Sequence, residues 1–569
     1  MKVTRRNFVQ GAGVVAAAIA ASGLAAETAL AANPVYEARG AMPWGTEAPV
    51  IADDQVEEEL NCDVVICGVG LAGAAATLAA AEAGAASIVT IDKTEAGYSA
   101  TGNQTAVING VQENWGRAGV YDIAEICNHE INEGCGWPKH AIWFKWANGI
   151  GETFNWALDS LGEYEIYPDS SYGYADGNYV CPMALPLPEG FNPEEEYNTT
   201  YATSVMWSSS NFPPAALAKA AELTEVTSLA GHRGEVLIME DGACKGIYAY
   251  NYATQMYKKI NAEKGVVLSC GDYAGNSEMV KYLCPAVYDA GIQLMYSTMD
   301  PEGNVANQGE AVKMGSWAGA KIQQYQAPMI HHMGHSMTGS MMGGMGIAPF
   351  FRINKLGKRF MNEDTPGQQT ENQIELQKDM GCYMIWDANW GQQVGNFAPT
   401  HGSVYQFNDG SESDSSEGKS QADVDAGVES GDVFKADTLE DLFNQLDAAF
   451  GLDVETALAS VERYNELAHN GYDEDFGKPA NRLFALENPP YYASTLGTAT
   501  MLVIASGLES DEEAHTYNAD RDPIKGLYVA GNCQGDRFAV QYPIAMEGVA
   551  TSMAVFYGRV AGQNVVNGI

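Results

Sequence analysis

The sequence predicts an α/β fold in which a parallel-sheet domain is split in two by an inserted α+β segment. A buried strand, a glycine turn, a helix and a second strand follow one another between Asp63 and Asp92. Another buried-strand pattern, Leu527-Tyr528-Val529-Ala530, appears near the C-terminus, and two amphipathic helices, 439–450 and 454–469, lie between the two patterns. Continuous apolar runs are typical of parallel strands covered on both faces. The two ends of the chain are therefore predicted to form one Rossmann-like domain.

The first element is a strand that ends in a glycine turn. The apolar run 64–66 is followed by Gly68, Gly70 and Gly73 in G-x-G-x-x-G spacing. In this motif the first glycine permits a tight turn, the second lets backbone approach a pyrophosphate, and the third packs the helix close to the strand. By itself the motif is a weak signal, because the same spacing occurs in nucleotide-free crossovers.

The helix after the turn completes a nucleotide-binding unit. The Ala-rich segment 72–83 is a strong helix former. Its N-terminal amides and its dipole therefore point at the predicted phosphates. A second strand, 87–91, ends at Asp92, where an acid can bind a ribose hydroxyl. The complete unit predicts dinucleotide binding, and a nucleotide-free α/β crossover is the alternative. The motif does not separate FAD from NAD.

Length and charge narrow the class of protein. The 569 residues are enough for two to four domains with a large core. The formal net charge is -42, from 73 acidic residues against 31 Lys plus Arg. This balance argues against nucleic acid or an anionic membrane surface as a partner. It suits a cationic protein partner, and an acidic surface that only keeps an exported protein soluble is the more common alternative.

The N-terminus carries the pattern of an export signal. Thr4-Arg5-Arg6-Asn7-Phe8 is a twin-arginine pattern, an apolar stretch runs from Gly11 to Ala26, and Ala29-Leu30-Ala31 offers small residues for cleavage. The stretch is short and rich in Ala and Gly, which favours a cleaved signal over a membrane anchor. We therefore expect residues 1–31 to be a signal peptide, the mature protein to reach the periplasm or cell envelope, and no permanent membrane span.

Cysteine and histidine spacing predicts no metal site. Ten cysteines are scattered along the chain without a C-x-x-C or C-x-x-C-H motif, which excludes a c-type haem and a zinc or iron–sulfur framework. His331, His332 and His335 form a cluster with Met341-Met342, but no carboxylate or cysteine set completes a site. The sequence assigns no disulfide.

The remaining elements follow in chain order. A loop of small and hydroxyl residues, 95–103, suits contacts along a pyrophosphate and ribityl chain. Segment 166–213 is irregular and long, which suggests a functional insertion. The other predicted elements are helices at 119–165, 214–223 and about 548–562, a hairpin around Asp241-Gly242, a strand at 265–268, and a solvated acidic loop at 409–416.

Several ordered motifs resemble those of the FAD-dependent fumarate reductase/succinate dehydrogenase flavoprotein superfamily, especially its soluble exported members. Asp92-Lys93 stands where that family has an acid–Lys pair, and Ser269-Cys270-Gly271-Asp272-Tyr273 is similar to its Ala-Thr-Gly-Gly-Phe turn. Further matches are Gln308-Gly309-Glu310-Ala311, Gly357-Lys358-Arg359-Phe360-Met361-Asn362-Glu363, Ala436-Asp437-Thr438-Leu439-Glu440, Pro523 to Asn532, and Tyr557-Gly558-Arg559-Val560-Ala561-Gly562. The resemblance runs from about Cys62 to the C-terminus and implies FAD rather than NAD.

The resemblance also implies a domain order and a set of cofactor contacts. A lead-in at 32–59 precedes FAD-binding segments at 60–324 and 495–569, and a capping domain at 325–494 lies between them. The residues assigned to FAD are Gly68, Gly70, Leu71, Ala72, Gly73, Asp92, Lys93, Ser99, Thr101, Gly102, Ser269, Gly271, Gly531, Asn532, Gly548 and Val549.

Departures from the family pattern bear on the flavin link and on the substrate. Members that attach FAD covalently use a His near the position of Ala100, so the resemblance implies non-covalent FAD. The family's proton-donating Arg falls at Gly367, and its substrate-clamping Arg run is replaced by residues 541–548. A buried dicarboxylate needs fixed cations. We therefore expect a less charged substrate, such as an enone, an aryl enoate or a steroid-like molecule.

The chemistry expected of such a site assigns roles to a few residues. Reducing a C=C bond conjugated to a carbonyl needs hydride from reduced flavin N5, a proton on the other carbon, and a donor that polarises the carbonyl. Tyr542 is the first candidate donor, because the resemblance places its loop over the isoalloxazine; a buried tyrosine with purely structural hydrogen bonds is the alternative. His331 and His335 are further candidates, and core or rim histidines are the competing interpretation. Arg537 would clamp a carboxylate or bind a flavin phosphate, with a surface ion pair as the alternative.

The sequence therefore predicts an exported FAD-dependent oxidoreductase that reduces activated C=C bonds of a small enone or enoate. Because the chain has no haem motif, electrons would come from a separate donor, such as a membrane cytochrome or a quinol-oxidising partner. The alternatives are a ketone or steroid dehydrogenase running the reverse reaction, a fumarate-type dicarboxylate reductase, and a non-catalytic flavin electron-transfer module.

Overall fold

The structure, a computed structural model, describes residues 41–99, 104–108, 122–160, 165–166, 179–180, 183–184, 204–206, 209–295, 298–331, 348–365, 367–393, 396, 406–407, 418–419, 421–497, 500–542 and 548–568. The chain divides into two compact units, Met1–Glu47 and Ala48–Ile569. Residues 41–47 of the first unit form turns and bends, and the helices and strands given below lie in the second unit. The predicted signal peptide, the histidines His332 and His335 and the acidic loop 409–416 lie outside the described residues.

The strands are numbered here in chain order. They are β1 Val56–Cys67, β2 Ser87–Asp92, β3 Gln104–Ala106, β4 Glu165–Ile166, β5 Tyr179–Val180, β6 Met183–Ala184, β7 Ser204–Met206, β8 Glu225–Ala230, β9 His232–Glu240, β10 Ala243–Asn251, β11 Tyr257–Leu268, β12 Gln293–Leu294, β13 Pro328–His331, β14 Phe351–Asn354, β15 Cys382–Trp386, β16 Gln406–Phe407, β17 Gly418–Lys419, β18 Val433–Ala436, β19 Tyr491–Leu496, β20 Thr500–Ile504, β21 His515–Tyr517 and β22 Pro523–Val529.

The α-helices are numbered in the same way. They are α1 Leu71–Glu82, α2 Ile123–Glu133, α3 His140–Asp159, α4 Phe212–Leu223, α5 Ser277–Leu283, α6 Pro285–Asp289, α7 Glu310–Trp317, α8 Gly367–Glu375, α9 Trp390–Gln393, α10 Gln421–Ser430, α11 Leu439–Phe450, α12 Val454–Asn470 and α13 Val549–Asn567.

The largest sheet combines strands from both ends of the chain. Its main order is β21-β22-β11-β1-β2-β8, and β10 and β9 extend it from β11. Pairing is parallel from β22 to β8, with Val65 opposite Val266 and Val89. The C-terminal strand joins through Val267 opposite Tyr528. The predicted α/β class with a split parallel sheet is therefore confirmed.

Helices α1 and α13 lie on one face of this sheet, and their backbones are in direct contact with each other. A Cβ added to Gly558 of α13 would lie 2.2 Å from the carbonyl oxygen of Ala72 in α1, and one added to Gly562 would lie 2.3 Å from that of Ala76. Such spacing leaves no room for a side chain and holds the N-terminal half of α1 against the middle and C-terminal part of α13. The C-terminal helix thereby comes to the turn that precedes α1.

The inserted part of the chain forms its own antiparallel sheet. This sheet has the order β14-β15-β19-β18 and packs its apolar face against α11 and α12. The bounds of both helices agree with the sequence prediction to within one residue. The reason is that each helix has its own capping residues at both ends. Thr438 and Asp453 accept backbone amides at the N-termini, and Gly451 and Gly471 end the helices with φ of 80° and 65°.

The structure differs from the sequence prediction at residues 119–165. The sequence predicts one helical stretch, whereas the chain forms α2 and α3 with a break at 134–139. Cys135 and Gly136 adopt left-handed φ values of 55° and 74° there, and Pro138 follows. A left-handed pair followed by proline cannot continue an α-helix.

The predicted capping-domain boundaries stay predictions. Strand β19 continues to Leu496, past the predicted boundary at residue 494. Strand β13 of the predicted cap pairs with β20, which lies in the C-terminal FAD-binding segment. Among the described helices, no candidate membrane-crossing segment is found.

Candidate active site

Two glycines of the turn after β1 are required by the protein's own packing. Gly68 has φ of 93°, and a Cβ there would lie 2.5 Å from the carbonyl oxygen of Ser269. A Cβ on Gly73 would lie 1.9 Å from the carbonyl oxygen of Gly68. These positions fix the turn against the end of β11 and the first turn of α1, as the motif predicts.

Gly70 differs from Gly68 and Gly73 because the described residues leave the space beside it open. Its φ is -82°, which any residue can adopt, and among the described residues an added Cβ would meet only the carbonyl oxygen of Ser99, at 3.5 Å. Gly70 is the N-cap of α1, and no side chain caps that helix. The first backbone amides of α1, including those of Leu71 and Ala72, therefore have no capping side chain and face the space beside Gly70. We call this space the cradle. This geometry fits a pyrophosphate.

The acid at the end of β2 is held in place by the same turn. Asp92 accepts hydrogen bonds from the amide of Val69 at 2.8 Å and from the amide and hydroxyl of Thr94 at 2.9 and 2.7 Å. Ser99 donates its amide to the carbonyl oxygen of Val69 at 2.9 Å, which brings the following loop to the glycine turn. Thr101 and Gly102 lie outside the described residues.

Lys93 is engaged inside the protein. Its ammonium forms an ion pair with the buried Glu310 and donates to the carbonyl oxygen of Ala306. The sequence assigns Lys93 to the cofactor, and the structure gives it instead a role in joining β2 to α7. Its cofactor contact stays a prediction.

The turn after β11 closes the other side of the cradle. Ser269 donates its hydroxyl to the carbonyl oxygen of Gly68 at 2.7 Å, and Gly271 adopts φ of 78°. Asp272 is fully buried and accepts hydrogen bonds from the amide of Ala274 at 2.7 Å and from Asn307 at 3.0 Å. Burial raises the pKa of the Asp272 carboxyl to about 6.

Residues from the C-terminal segment complete this arrangement. Gly531 has φ of 73°, and a Cβ there would lie 3.0 Å from that of Ala72. Asn532 donates to Asp272 at 3.5 Å, and Gly548, with φ of 75°, is the N-cap of α13 ahead of the buried Val549. The structure thus brings together the glycine turn, the 269–273 turn and the 531–532 turn, although Gly68 and Asn532 are 464 positions apart in the chain.

Tyr542 lies at the N-terminus of α13. Its side chain is 2% exposed, and its hydroxyl oxygen accepts the amide of Ala550 at 2.9 Å. Its backbone amide donates to the side chain of Gln368 at 3.2 Å, and its ring packs on Phe538 with centroids 5.0 Å apart. The phenol is thereby fixed by contacts to α13 and α8.

Arg537 is buried rather than exposed. It has 0% exposed surface, and its Nε donates to the carbonyl oxygen of Gln534 at 3.2 Å. Burial lowers the pKa of its guanidinium to about 10. The alternative of a surface ion pair for Arg537 is wrong, because the side chain has no access to the surface and forms no ion pair within the described part of the chain.

Amide side chains surround the backbone of Tyr542, and sequence reasoning did not single them out. Gln368 donates to the carbonyl oxygen of Pro328 at 2.9 Å. Glu133 of α2 accepts Gln369 at 2.6 Å and Gln541 at 2.9 Å. We call Gln368, Gln369 and Gln541 the glutamine rim. The sequence signals nearest to these glutamines are that Gly367 stands where the resembling family has its proton-donating Arg, and that residues 541–548 replace its substrate-clamping Arg run.

The other predicted catalytic residues are placed only in part. His331 is the last residue of β13, with its backbone opposite Thr500 of β20, and its side chain, like all of His332 and His335, lies outside the described residues. Within the described residues, no group of three His, Cys, Asp or Glu side chains is arranged as metal ligands.

A cleft opens beside the glutamine rim. It has a volume of about 520 Å³ and includes Gln369. Its lining residues are Phe360, Met361, Asn362, Thr365, Gln369, Asn372, Gln373 and Phe476. The lining combines aromatic surface with neutral amides and contains no charged side chain, and it falls in the size range of small-molecule sites.

Comparisons with known proteins identify the family of the chain. The family model described as FAD binding domain matches residues 198–547. Vinyl phenol reductase of Lactiplantibacillus plantarum is 25% identical over 526 residues, which cover 88% of this chain and 96% of the relative. Digoxin reductase of Eggerthella lenta is 27% identical over 596 residues, which cover 99% of this chain and 96% of the relative.

Two solved structures have a similar fold. A 3-ketosteroid-Δ4-(5α)-dehydrogenase from Rhodococcus jostii has a TM-score of 0.64 and 19% identity, covering 91% of this chain and 99% of that chain. A flavocytochrome c3 fumarate reductase in an open conformation has a TM-score of 0.60 and 19% identity, covering 90% of this chain and 79% of that chain. At this identity the likeness concerns the fold.

Proposed function

Because the chain belongs to the FAD binding domain family, as its match over residues 198–547 shows, we propose that it is an FAD-dependent reductase of activated C=C bonds. The substrate class is an enone, an aryl enoate or a steroid-like acceptor. Relatives named vinyl phenol reductase and digoxin reductase support this class, since both align over most of their length. The observation that carries the proposal is the placement of the Tyr542 hydroxyl at the N-terminus of α13, which is packed against the glycine turn's helix.

The residues around the glycine turn would hold the cofactor without a covalent link. The cradle beside Gly70 and the first amides of α1 suit the pyrophosphate, and Asp92 suits a ribose. Gly531, Asn532 and Gly548 bring the C-terminal segment to the same place. Bound FAD would supply two-electron hydride chemistry.

Tyr542 is proposed to hold the proton that the substrate carbon receives. Its oxygen accepts the amide of Ala550, so this hydrogen bond is kept and strengthened when the phenol proton leaves. The N-terminal end of α13 adds the positive end of a helix dipole at the same oxygen. Tyr542 therefore sits where negative charge on its oxygen is stabilised, which suits a general acid.

The glutamine rim supports an uncharged or weakly charged substrate. Gln369 and Gln541 are both fixed by Glu133, and Gln368 is fixed by the backbone of β13 and of Tyr542. Amide side chains can hydrogen-bond a carbonyl, but they do not neutralise a second carboxylate. A fumarate-type dicarboxylate is accordingly the less favoured substrate.

We also propose the finer features that the sequence predicts. Residues 325–494 would act as the cap, and the twin-arginine pattern would direct export to the periplasm or cell envelope. A separate electron donor, such as a membrane cytochrome, would supply electrons to the flavin. The net charge of -42 suits a donor with a cationic surface.

Anaerobic reoxidation of the dye-reduced holoenzyme tests the proposed function. Enones and aryl enoates are expected to reoxidise the flavin, whereas their saturated analogues leave it reduced and fumarate acts much more slowly. Flavin reduction by saturated ketones, without reoxidation by enones, would replace the proposal with the dehydrogenase. A panel without any effect on the flavin would support an electron-transfer module and refute the reductase.

A further inference from the structure

The terminal nitrogens of the buried Arg537 guanidinium have no hydrogen-bond partner among the residues that the structure describes. Nη1 and Nη2 are both buried and make no hydrogen bond with the described part of the chain, while Nε has only the carbonyl oxygen of Gln534. An unpaired buried cation is costly to a folded protein. A buried cation of this kind is therefore a candidate for stabilising negative charge that forms beside it during a reaction.

Among the described residues, the charge-bearing neighbours of Arg537 are a thiol and two phenols rather than carboxylates. The side chains that act electrostatically on its guanidinium are, in order, Cys533, Tyr542 and Tyr557. Phe538 links it to one of them, since the guanidinium carbon lies 5.1 Å from the Phe538 ring and that ring lies 5.0 Å from the ring of Tyr542. The cation is therefore within about 10 Å of the Tyr542 ring.

Hydrogen-bond direction distinguishes these three neighbours. Tyr557 donates its hydroxyl to the carbonyl oxygen of Ile142 at 2.6 Å, and the Cys533 thiol faces the carbonyl oxygens of Leu268 and Ala530. Carbonyl acceptors favour the protonated form of both groups. Tyr542 is the neighbour whose oxygen accepts an amide, which favours a negative oxygen.

We propose that Arg537 is a positioning residue that stabilises the charge left on the Tyr542 oxygen when its proton passes to the substrate. In this step the O–H bond of Tyr542 breaks, its electron pair stays on the oxygen, and a C–H bond forms on the substrate carbon. Solvent returns the proton afterwards. The inference rests on the proposed function, because it presumes that Tyr542 is the acid.

The arrangement stabilises the charged state selectively. While Tyr542 is protonated, no side chain of the described residues places an anion beside Arg537. The electrostatic attraction to Tyr542 arises only as the phenolate forms. Interactions that exist only after the charge has developed accelerate a reaction, whereas those present throughout do not. We take a separation of about 10 Å between the guanidinium and the phenolate, and an effective dielectric constant of about 20. The attraction then lowers the pH at which the Tyr542 phenol ionises by about one unit.

Ionisation of residue 542 in the resting holoprotein tests this inference without turnover. A fluorinated tyrosine placed at position 542 reports its own ionisation by ¹⁹F NMR in the parent, Arg537→Met and Arg537→Lys backgrounds. We expect the midpoint to rise by about one pH unit in Arg537→Met and to stay near the parent value in Arg537→Lys, which keeps the charge. Reoxidation by an enone should slow about threefold to tenfold in Arg537→Met, with recovery in Arg537→Lys.

Unchanged midpoints in Arg537→Met, or equal shifts in both variants, would overturn the role of Arg537. Should Arg537→Met fail to fold, Arg537→Gln provides the same comparison with a neutral polar side chain. The proposed function fails separately: if Tyr542→Phe turns over like the parent, Tyr542 is not the acid, whatever the NMR midpoints show.

Discussion

Replacing Gly70 with Ala separates the demands of the protein from those of the cofactor. The backbone φ of -82° suits alanine, and within the described part of the chain the new Cβ would meet only the Ser99 carbonyl oxygen, at an ordinary 3.5 Å. The loss of glycine at an N-cap is roughly offset by the lower entropy of the unfolded chain, so the free energy of unfolding of the apoprotein should change by less than about 1 kcal/mol.

The same methyl group occupies the space into which the pyrophosphate would fit. Losing or lengthening one charge-assisted hydrogen bond to a phosphate costs about 1.5–3 kcal/mol, which corresponds to about a 10- to 100-fold rise in the Kd for FAD. Flavin fluorescence titration of the apoprotein measures this Kd, and urea unfolding measures the stability of the same samples.

Two further glycine variants serve as controls. Gly73→Ala places its Cβ 1.9 Å from the Gly68 carbonyl oxygen and should destabilise the apoprotein itself. The new Cβ of Gly391→Ala meets no atom of the described residues within 4 Å, so this variant should change neither the Kd nor the stability. An unchanged Kd in Gly70→Ala would refute the placement of the pyrophosphate beside Gly70.

Two other predictions concern buried charges. Burial raises the pKa of the Asp272 carboxyl from 3.8 in the unfolded chain to about 6 in the folded protein. Between these two pH values the folded protein keeps the proton of Asp272, whereas the unfolded chain releases it. The contribution of Asp272 to the free energy of unfolding therefore falls as the pH rises from about 4 to 6. The free energy of unfolding of Asp272→Asn should therefore rise, relative to that of the parent, by up to about 3 kcal/mol between pH 4 and pH 7. Urea unfolding measures both free energies, and a difference between them that stays constant across this pH range would disprove the pKa shift. Arg359 bridges Glu363 at 2.8 Å and Asp473 at 2.7 Å in the inserted segment. Although burial opposes it, Arg359 lowers the pKa of Asp473 to about 2, so this pair stabilises the fold above pH 4 and loses its effect as the pH falls towards 2. Arg359→Met should cost about 3–5 kcal/mol at pH 7, with Lys355→Met, which breaks a surface pair with Asp379, as a control that costs less than about 1 kcal/mol.

Local patterns in the sequence were sufficient for the elements that position the cofactor. The strand, glycine turn and helix of residues 63–83 are encoded within a few neighbours of each residue, and so are the caps of α11 and α12. The break between α2 and α3 was also signalled, since Gly134, Gly136 and Pro138 punctuate the predicted helix. There the apolar periodicity was given more weight than the helix-breaking residues.

The candidate site depended on contacts that no local pattern reveals. Glu133 meets Gln541 across 408 positions of the chain, and Asp272 stands in a turn where the resembling family has glycine. The burial of Arg537 arises from the packing of Phe538 and Trp143 around it, which depends on how α3 meets the C-terminal segment. A charged residue flanked by Asp536 gives no such signal in the sequence, and a surface ion pair was the natural alternative.

The rate at which an enone reoxidises the dye-reduced Tyr542→Phe holoenzyme tests the central claim most directly. If Tyr542 delivers the proton beside bound FAD, the variant should keep its FAD and accept electrons from the dye, but reoxidise about 100-fold or more slowly than the parent. Reoxidation at the parent rate would contradict the account, because the proton would then come from another group.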